Sequence, residues 1–161
     1  TGNGQIAIEL SKTFERVFAT DISQQQIEQA PRSENIFYSI QAAEKSNFEN
    51  DFFDKIYSIA VLHHVPGEEL RIKFFKEASR VLKEQGLLIL TVWDLKDKQK
   101  NEEKDVFLSW YGAKDCYFHV FTLKELEDLV ALSGLKIIEK GEIIVGQRPY
   151  NNFYIICQKN D

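Results

Sequence analysis

The sequence predicts an α/β fold: a mostly parallel, twisted sheet with helices on both faces and an antiparallel last strand. Strand-like and helix-like segments alternate along the 161 residues, which is typical of βαβ units. The run L-L-I-L-T-V-W at 87–93 is almost continuously apolar, as expected for a strand that is covered on both faces. A second strong strand is predicted at 52–62, before Pro66 and Gly67 break the pattern.

The remaining elements follow from periodicity and from capping and turn residues. Predicted strands cover 16–21, 35–43, 52–62, 87–93, 135–145 and 152–158. Predicted helices cover 5–14, 23–27, 68–83 and 122–134. Ser23 and Thr122 are predicted as N-caps, and Gly86 as the glycine that ends the third helix. The polar segments 44–51 and 94–105 are predicted as loops.

Composition and charge narrow the class of protein. The length suits a single α/β domain over 1–161, and no apolar run approaches the roughly 20 residues of a membrane span. We therefore predict a cytoplasmic protein without membrane association. The net charge of −5 argues against tight, unassisted nucleic-acid binding. Because the chain starts without Met and inside a glycine motif, we expect the domain to be N-terminally incomplete, with its first strand missing.

The first residues and a later acid together indicate a nucleotide-type cofactor. Gly2, Asn3 and Gly4 lie just before a predicted helix, where glycines let the backbone approach a ligand and the helix offers free N–H groups. Asp21 ends the next predicted strand, seventeen residues beyond Gly4, and is placed to accept hydrogen bonds from a ribose diol. The joint pattern is typical of a Rossmann-like fold that holds an adenosine-containing cofactor, although each part alone is common in other settings.

Further motifs resemble one family over almost the whole chain. They are F-A-T-D-I-S at 18–23, Q-A-A-E at 41–44, S-I-A-V-L-H-H at 58–64, E-A-S-R-V-L-K-E-Q-G-L-L-I-L at 77–90 and H-V-F-T-L-K-E-L at 119–126. With the opening glycines, these resemble the class I S-adenosylmethionine-dependent methyltransferases.

The resemblance implies S-adenosyl-L-methionine as the cofactor, bound by Gly2, Asn3, Gly4, Asp21, Ile22, Ala43 and Ala60. Ala42 departs from the family pattern, because an acid that contacts the adenine amine often stands there. The backbone N–H of Ala43 remains for that contact.

Within the family, S-I-A-V-L-H-H, L-T-V-W at 90–93 and Y-F-H-V-F at 117–121 most resemble the tRNA wobble-uridine carboxymethyl methyltransferases. That resemblance implies methyl transfer to a carboxylate oxygen of a tRNA base, together with a small partner subunit. A small-molecule acceptor, or a hydroxyl oxygen as the methylated atom, stays open, because the branch has many relatives of unassigned activity.

Three residues are candidates for handling the acceptor. His64 follows a predicted strand, on the side where open α/β sheets bind ligands. Arg71 lies in the following helix, from which it can reach an anionic acceptor. His119 precedes the predicted capping box T-L-K-E at 122–125, near the position of the family's substrate loop. A histidine can serve as a base for a neutral acceptor, whereas a carboxylate needs only cations or donors to hold it. No metal site is predicted.

Two other functions compete with methyl transfer. The motif G-N-G-x-x-A with Asp21 also suits a nicotinamide-dependent oxidoreductase, although no Tyr-x-x-x-Lys pair or similar hydride-transfer arrangement is present. A non-catalytic module that binds the cofactor or a protein partner is the other alternative, and the missing acid at Ala42 favours it.

Overall fold

A computed structural model describes residues 1–99, 101–110, 112–144, 146 and 150–160. The chain divides into two compact units, an N-terminal unit of residues 1–47 and a C-terminal unit of residues 48–161. The single-domain organisation stays a prediction. Most of the turn between the last two strands, at 147–149, falls outside the described residues, as does Val145 at the predicted end of a strand.

The N-terminal unit is a small βα arrangement. Its elements are α1 (Gln5–Ser11), β1 (Val17–Asp21), α2 (Gln24–Gln29) and β2 (Ile36–Ile40). β1 and β2 pair in parallel, from Val17 opposite Ile36 to Asp21 opposite Ile40. The apolar residues of α1 and the two strands form the core, with Ala7 and Ala19 almost fully buried. Ser23 caps α2 as predicted, because its side chain accepts a hydrogen bond from the N–H of Gln26.

The C-terminal unit contains a four-stranded mixed sheet and a separate hairpin. Its elements are β3 (Phe53–Ile59), α3 (Glu68–Val81), β4 (Leu82–Trp93), β5 (Asp105–Trp110), β6 (Ala113–His119), α4 (Leu123–Ala131), β7 (Leu135–Ile143) and β8 (Asn152–Lys159). The sheet has the order β3-β4-β8-β7, with β3 and β4 parallel. The last strand, β8, is antiparallel to both β4 and β7, as predicted. Among the described residues, no helix is long and apolar enough to cross a membrane.

The prediction that Gly86 ends α3 is wrong. α3 ends at Val81, and Gly86 lies inside β4, where the pairing with β3 shifts register between Phe53 and Lys55. A Cβ at Gly86 would come within 2.8 Å of the Lys83 carbonyl oxygen and 3.2 Å of the Phe53 carbonyl oxygen. This glycine is therefore needed because two backbone segments approach each other closely.

The β5–β6 hairpin has no counterpart among the predicted elements, and its first residue lies in the segment predicted as a loop. Apolar side chains on one face, Val106 and Phe118, pack with Leu95 and Val120 into a small core. Residues on the other face are polar or aromatic. This face carries the side chains that build the candidate site.

Candidate functional site

The carboxylate of Asp21 connects the loop before α1 with the turn that leads into α2. Its Oδ2 accepts a 2.8 Å hydrogen bond from the N–H of Gly2, and its Oδ1 accepts a 2.9 Å bond from the N–H of Ser23. Burial raises the pKa of Asp21, whereas the hydrogen bonds from the N–H groups of Ser23 and Gly2 lower it. Oδ1 keeps a second lone pair that can accept a ribose hydroxyl.

The glycines of this loop differ in what they require. Gly4 has φ of 80°, and a Cβ there would lie 2.7 Å from the Tyr38 hydroxyl oxygen and 2.9 Å from Cβ of Ala30. Gly4 is therefore needed for packing as well as for its backbone conformation. Gly2 has φ of 56°, and apart from Gly2 itself and its two chain neighbours, no heavy atom of the described chain lies within 4 Å of the position that its Cβ would take. The backbone at Gly2, and at the exposed Asn3 beside it, is open to a ligand.

Two further residues predicted to bind the cofactor are accessible in the N-terminal unit. Ile22, directly after Asp21, is 75% exposed and offers apolar surface to a flat ring such as adenine. Ala43 is half-buried in the turn after β2, next to the isolated bridge between Ala42 and Lys45. Together with the carboxylate of Asp21 and the open backbone at Gly2, these features fit an adenosine-containing group.

Ala60 lies directly after β3 and has a strained backbone. Its φ of 56° is in the left-handed region, which costs an alanine roughly 1 kcal/mol. Its N–H donates to both the carbonyl oxygen and the hydroxyl oxygen of Thr91, at 3.0 and 3.2 Å, and these bonds hold the conformation. Strain of this kind is often found where the backbone borders a functional site.

Arg71, on α3, is a charged residue that the structure buries. The residue is 5% exposed, and its Nη1 donates to the Val65 carbonyl oxygen at 3.2 Å and to the Tyr117 hydroxyl oxygen at 3.3 Å. Its guanidinium carbon lies 5.8 Å from the ring centre of Phe121. Within the described part of the chain, Arg71 forms no ion pair, and its buried Nε has no hydrogen-bond partner. Asp105 accepts a hydrogen bond from the same Tyr117 hydroxyl, and the charge of Arg71 helps to lower the pKa of that acid, so the guanidinium lies near a carboxylate without contacting it directly.

His119, at the end of β6, is held between two carboxylates. Its Nδ1 lies 2.6 Å from Oδ1 of Asp105, and its Nε2 lies 2.7 Å from Oε1 of Glu125. Glu125 also accepts a hydrogen bond of 2.9 Å from Lys104. The predicted cap of α4 is present, since the Thr122 hydroxyl accepts from the N–H of Glu125. The side chain of Glu125, however, reaches His119.

The two histidines after β3 have different surroundings. Nδ1 of His64 lies 3.1 Å from the Tyr117 carbonyl oxygen, so this nitrogen must donate, and a neutral ring then has its lone pair on Nε2. His63 is fully buried beside Trp93 and Phe118, and its Nδ1 accepts from the N–H of Trp93 at 3.2 Å. Burial, with the charge of His64, lowers the pKa of His63 to about 3. His63 is therefore a neutral core residue.

A cavity of about 420 Å³ lies between α3, α4 and the start of the hairpin. It is lined by Glu68, Arg71, Lys104, His119, Thr122, Lys124, Glu125, Asp128, Leu129 and Leu132. Two of its cations are paired with acids, Lys104 with Glu125 and Lys124 with Asp128. Arg71 is the lining cation without such a pair among the described residues. The cavity thus combines charged walls with a buried guanidinium that forms no direct ion pair among the described residues.

All three residues predicted to handle the acceptor meet at β6. Arg71 contacts the Tyr117 hydroxyl, His64 contacts the Tyr117 carbonyl, and His119 follows two residues later on the same face of the strand. Asp105 was not predicted, because it ends a charged segment that reads as a solvated loop. The alternation D-V-F-L at 105–108, opposite C-Y-F-H at 116–119, was the available signal for a hairpin.

The sequence matches the family model described as methyltransferase domain over residues 1–90. This chain belongs to that family. A protein of Encephalitozoon cuniculi with a methyltransferase name is 32% identical over 99 residues, which cover 55% of this chain and 47% of that protein. The tRNA (carboxymethyluridine(34)-5-O)-methyltransferase of Schizosaccharomyces pombe is 26% identical over 137 residues, which cover 67% of this chain and 58% of that protein. The chain thus spans about half the length of these relatives.

Solved structures show the same fold. A methyltransferase domain from Methanosarcina mazei, crystallised as an S-adenosylmethionine-dependent methyltransferase, has a TM-score of 0.83 at 23% identity and covers 99% of this chain and 89% of that one. A methyltransferase solved in complex with the Haloferax volcanii Trm112 methyltransferase activator has a TM-score of 0.81 at 14% identity. The match covers 100% of this chain and 79% of that one. The predicted family, its Rossmann-like fold and S-adenosylmethionine as its cofactor are confirmed.

Proposed function

We propose that this methyltransferase domain esterifies the carboxylate of an acceptor, and that the acceptor is a carboxymethylated uridine of tRNA. One observation carries the proposal: Arg71 is a buried guanidinium without an ion-pair partner in the described chain, and it lines a cavity of about 420 Å³. An acceptor carboxylate would supply a direct ion-pair partner for this guanidinium. Names of relatives in Schizosaccharomyces pombe and Arabidopsis thaliana support the choice of acceptor, since both state a carboxymethyluridine substrate.

Charge and hydrogen-bond geometry explain why a carboxylate suits this site. A guanidinium has five N–H donors in a planar fork, and the two hydrogen bonds of Arg71 in the structure both use Nη1. Donors therefore remain for a carboxylate, which guanidinium groups bind with high geometric specificity. When bound, S-adenosylmethionine supplies an activated methyl group for an acceptor oxygen. A carboxylate is already deprotonated at neutral pH, so the protein needs to hold and orient it rather than remove a proton.

In this proposal, the histidines orient groups rather than act as bases. Both ring nitrogens of His119 are bonded to carboxylates, so this side chain cannot also take a proton from an acceptor. His64 donates from Nδ1 to the Tyr117 carbonyl oxygen, which fixes the orientation of its ring beside the strand that holds Arg71. In the N-terminal unit, Asp21, Ile22 and the open backbone at Gly2 would hold the ribose and adenine of the cofactor.

We also propose that a small partner subunit assists the reaction on tRNA. The net charge of −5 opposes unassisted binding to a polyanion. The Haloferax volcanii structure shows that a methyltransferase of this fold can assemble with a protein described as its activator. Salt-sensitive tRNA binding by the complex, but not by this chain alone, is the expected result.

The test combines cofactor binding with acceptor turnover. Calorimetric titration should show binding of S-adenosylmethionine and S-adenosylhomocysteine but not NAD. Turnover should then be measured on tRNA that carries carboxymethyluridine and on the same tRNA with the amide in place of the acid. Arg71→Ala should raise KM for the acid substrate by at least about tenfold, since a charged hydrogen-bond partner is removed. Lys73→Ala, which removes an exposed cation of the same helix paired with Glu69, is the matched control.

The alternatives give different results. Cofactor binding with no transfer to either tRNA would favour the non-catalytic module. Equal turnover of the acid and the amide would show that the site does not recognise a carboxylate. Binding of NAD alone would favour the oxidoreductase and overturn the proposal.

A further inference from the structure

We propose that Asp105 is a positioning residue of the acceptor site, and that it acts on Arg71 through the hydroxyl group of Tyr117. The proposal rests on the function proposed for Arg71. It assigns a role to a side chain that lies beside the acceptor cavity without needing to touch the acceptor.

The first step concerns the direction of one proton. The Tyr117 hydroxyl oxygen lies 2.8 Å from Oδ1 of Asp105 and 3.3 Å from Nη1 of Arg71. A carboxylate can only accept and a guanidinium can only donate. The single hydroxyl proton must therefore point at Asp105, and the oxygen lone pairs then face Arg71. Without the carboxylate, the proton is free to rotate toward the guanidinium, where it would weaken the contact.

The second step concerns what holds Asp105 itself. The hairpin register places Asp105 directly opposite His119, and the same Oδ1 that accepts from Tyr117 lies 2.6 Å from Nδ1 of His119. His119 is in turn held by Glu125, 2.7 Å away on α4. Asp105 is thus fixed by two donors from one face of β6, although its side chain is 54% exposed. The chain of contacts connects α4, β6, β5 and the buried cation of α3.

Charge supports the same order of contacts. Burial raises the pKa of Tyr117, and its bond to Asp105 raises it further, which keeps the hydroxyl proton in place. Burial also raises the pKa of Asp105, but the bonds from His119 and Tyr117 and the nearby charge of Arg71 outweigh it and lower the pKa overall. At neutral pH, Asp105 is therefore an acceptor and Tyr117 a donor, as the geometry requires.

A double-mutant cycle on the full chain with its acceptor tests the proposal. Asp105→Asn should raise KM for the acceptor by about tenfold and change kcat by less than about twofold, because the hydrogen bond that it weakens positions a group that binds the acceptor in the ground state. Tyr117→Phe should have the same effect. In the Tyr117→Phe background, Asp105→Asn should add less than about twofold, since residues that act in one chain are not additive. Asp115→Asn, the same change at an exposed position of the hairpin, should change nothing.

A full-size effect of Asp105→Asn in the Tyr117→Phe background would overturn the proposal, because Asp105 would then act by another route. If the Asp105 variant does not fold, Tyr117→Phe alone decides, and an unchanged KM overturns the proposal.

A readout without acceptor separates this proposal from the function on which it rests. Hydrogen exchange of the Arg71 Nε–H, followed by NMR in the free protein, should become faster in Asp105→Asn and in Tyr117→Phe but not in Asp115→Asn. An unchanged rate in the first two variants overturns the positioning role even if the acceptor is turned over. Faster exchange without turnover of any acceptor supports the positioning of Arg71 and rejects only the proposed acceptor.

Discussion

Asp105 lies opposite His119 in the β5–β6 hairpin, with 2.6 Å between the carboxylate Oδ1 and the ring Nδ1. The other ring nitrogen lies 2.7 Å from Oε1 of Glu125. Both partners of the ring are carboxylates, which accept hydrogen bonds when ionised. The two contacts of His119 join β5, β6 and α4 at the edge of the cavity that Arg71 lines.

We predict that this arrangement contributes to stability above the ordinary pKa values of its acids. Burial raises the pKa of both acids, but hydrogen bonds outweigh this effect. Bonds from His119 and Tyr117 lower the pKa of Asp105 from 3.8. Bonds from His119 and Lys104 lower the pKa of Glu125 from 4.5. A lowered pKa in the folded state stabilises above the unfolded value, and this contribution disappears as pH falls through the folded value. Urea unfolding should therefore show a free energy of unfolding that decreases as pH falls below 4.5.

The matched comparison uses neutral isosteres. A variant with both Asp105→Asn and Glu125→Gln should be less stable at pH 7 and should lose less stability in acid than the unchanged protein. Asp115→Asn should leave the decrease of the unfolding free energy below pH 4.5 unchanged. The same decrease in the double variant as in the unchanged protein would show that Asp105 and Glu125 do not supply the pH dependence.

His63 should cause a separate loss of stability as pH falls, and this loss should begin at a higher pH than the loss caused by Asp105 and Glu125. Its pKa is lowered from 6.5 to about 3, chiefly by burial, so the unfolded chain binds a proton that the folded chain excludes. The contribution of neutral His63 to the free energy of unfolding is then fully present above pH 6.5. It is lost as pH falls from that value toward 3, by about 1.4 kcal/mol per pH unit. His63→Gln should make the free energy of unfolding depend less on pH between about pH 6 and 5. This range lies above the ordinary pKa values of Asp105 and Glu125. The same slope in both proteins would contradict the prediction.

Local signals predicted much of the fold because they depend on few residues. Ser23 and Thr122 cap their helices through hydrogen bonds three residues along the chain, and the apolar run at 87–93 forms part of β4. Gly86 was misread because a glycine after a helical pattern is usually a helix end, whereas here β4 begins at once and the glycine meets the backbone of β3. The contact between Gly86 and β3 is not local, and no pattern in the sequence predicts it.

Only part of the candidate site could be predicted from the sequence, because the rest also depends on contacts that are not local. The sequence indicated Arg71 and His119 by residue type and position. Their partners depend on the register of a hairpin whose first strand follows a run of charged residues. Asp105 becomes part of the site because the hairpin places it opposite His119, and the buried guanidinium of Arg71 contacts the Tyr117 hydroxyl and lies near the Phe121 ring.

Gly4 and Gly2 should respond differently to the same substitution. Gly2→Ala places a methyl group into open space and should cost roughly 1 kcal/mol for the left-handed backbone alone. Gly4→Ala has that cost and also forces a Cβ to within 2.7 Å of the Tyr38 hydroxyl oxygen, which should add roughly 1–3 kcal/mol. Chemical unfolding of both variants measures the difference. Equal costs would mean that the loop relaxes around Gly4 and that its packing is not tight.

Asp21→Asn should weaken binding of S-adenosylmethionine roughly tenfold to a hundredfold, because hydrogen bonds to a charged acceptor are removed. The carboxylate also holds the N–H groups of Gly2 and Ser23, so part of the effect arises from a looser loop. Calorimetry should therefore be paired with chemical unfolding of the same sample. A large loss of affinity with a small loss of stability indicates direct contact with the ribose, and proportional losses indicate the loop. Glu28→Gln, at an exposed acid bonded to Gln24, is the control, and an unchanged affinity in Asp21→Asn removes this residue from the cofactor site.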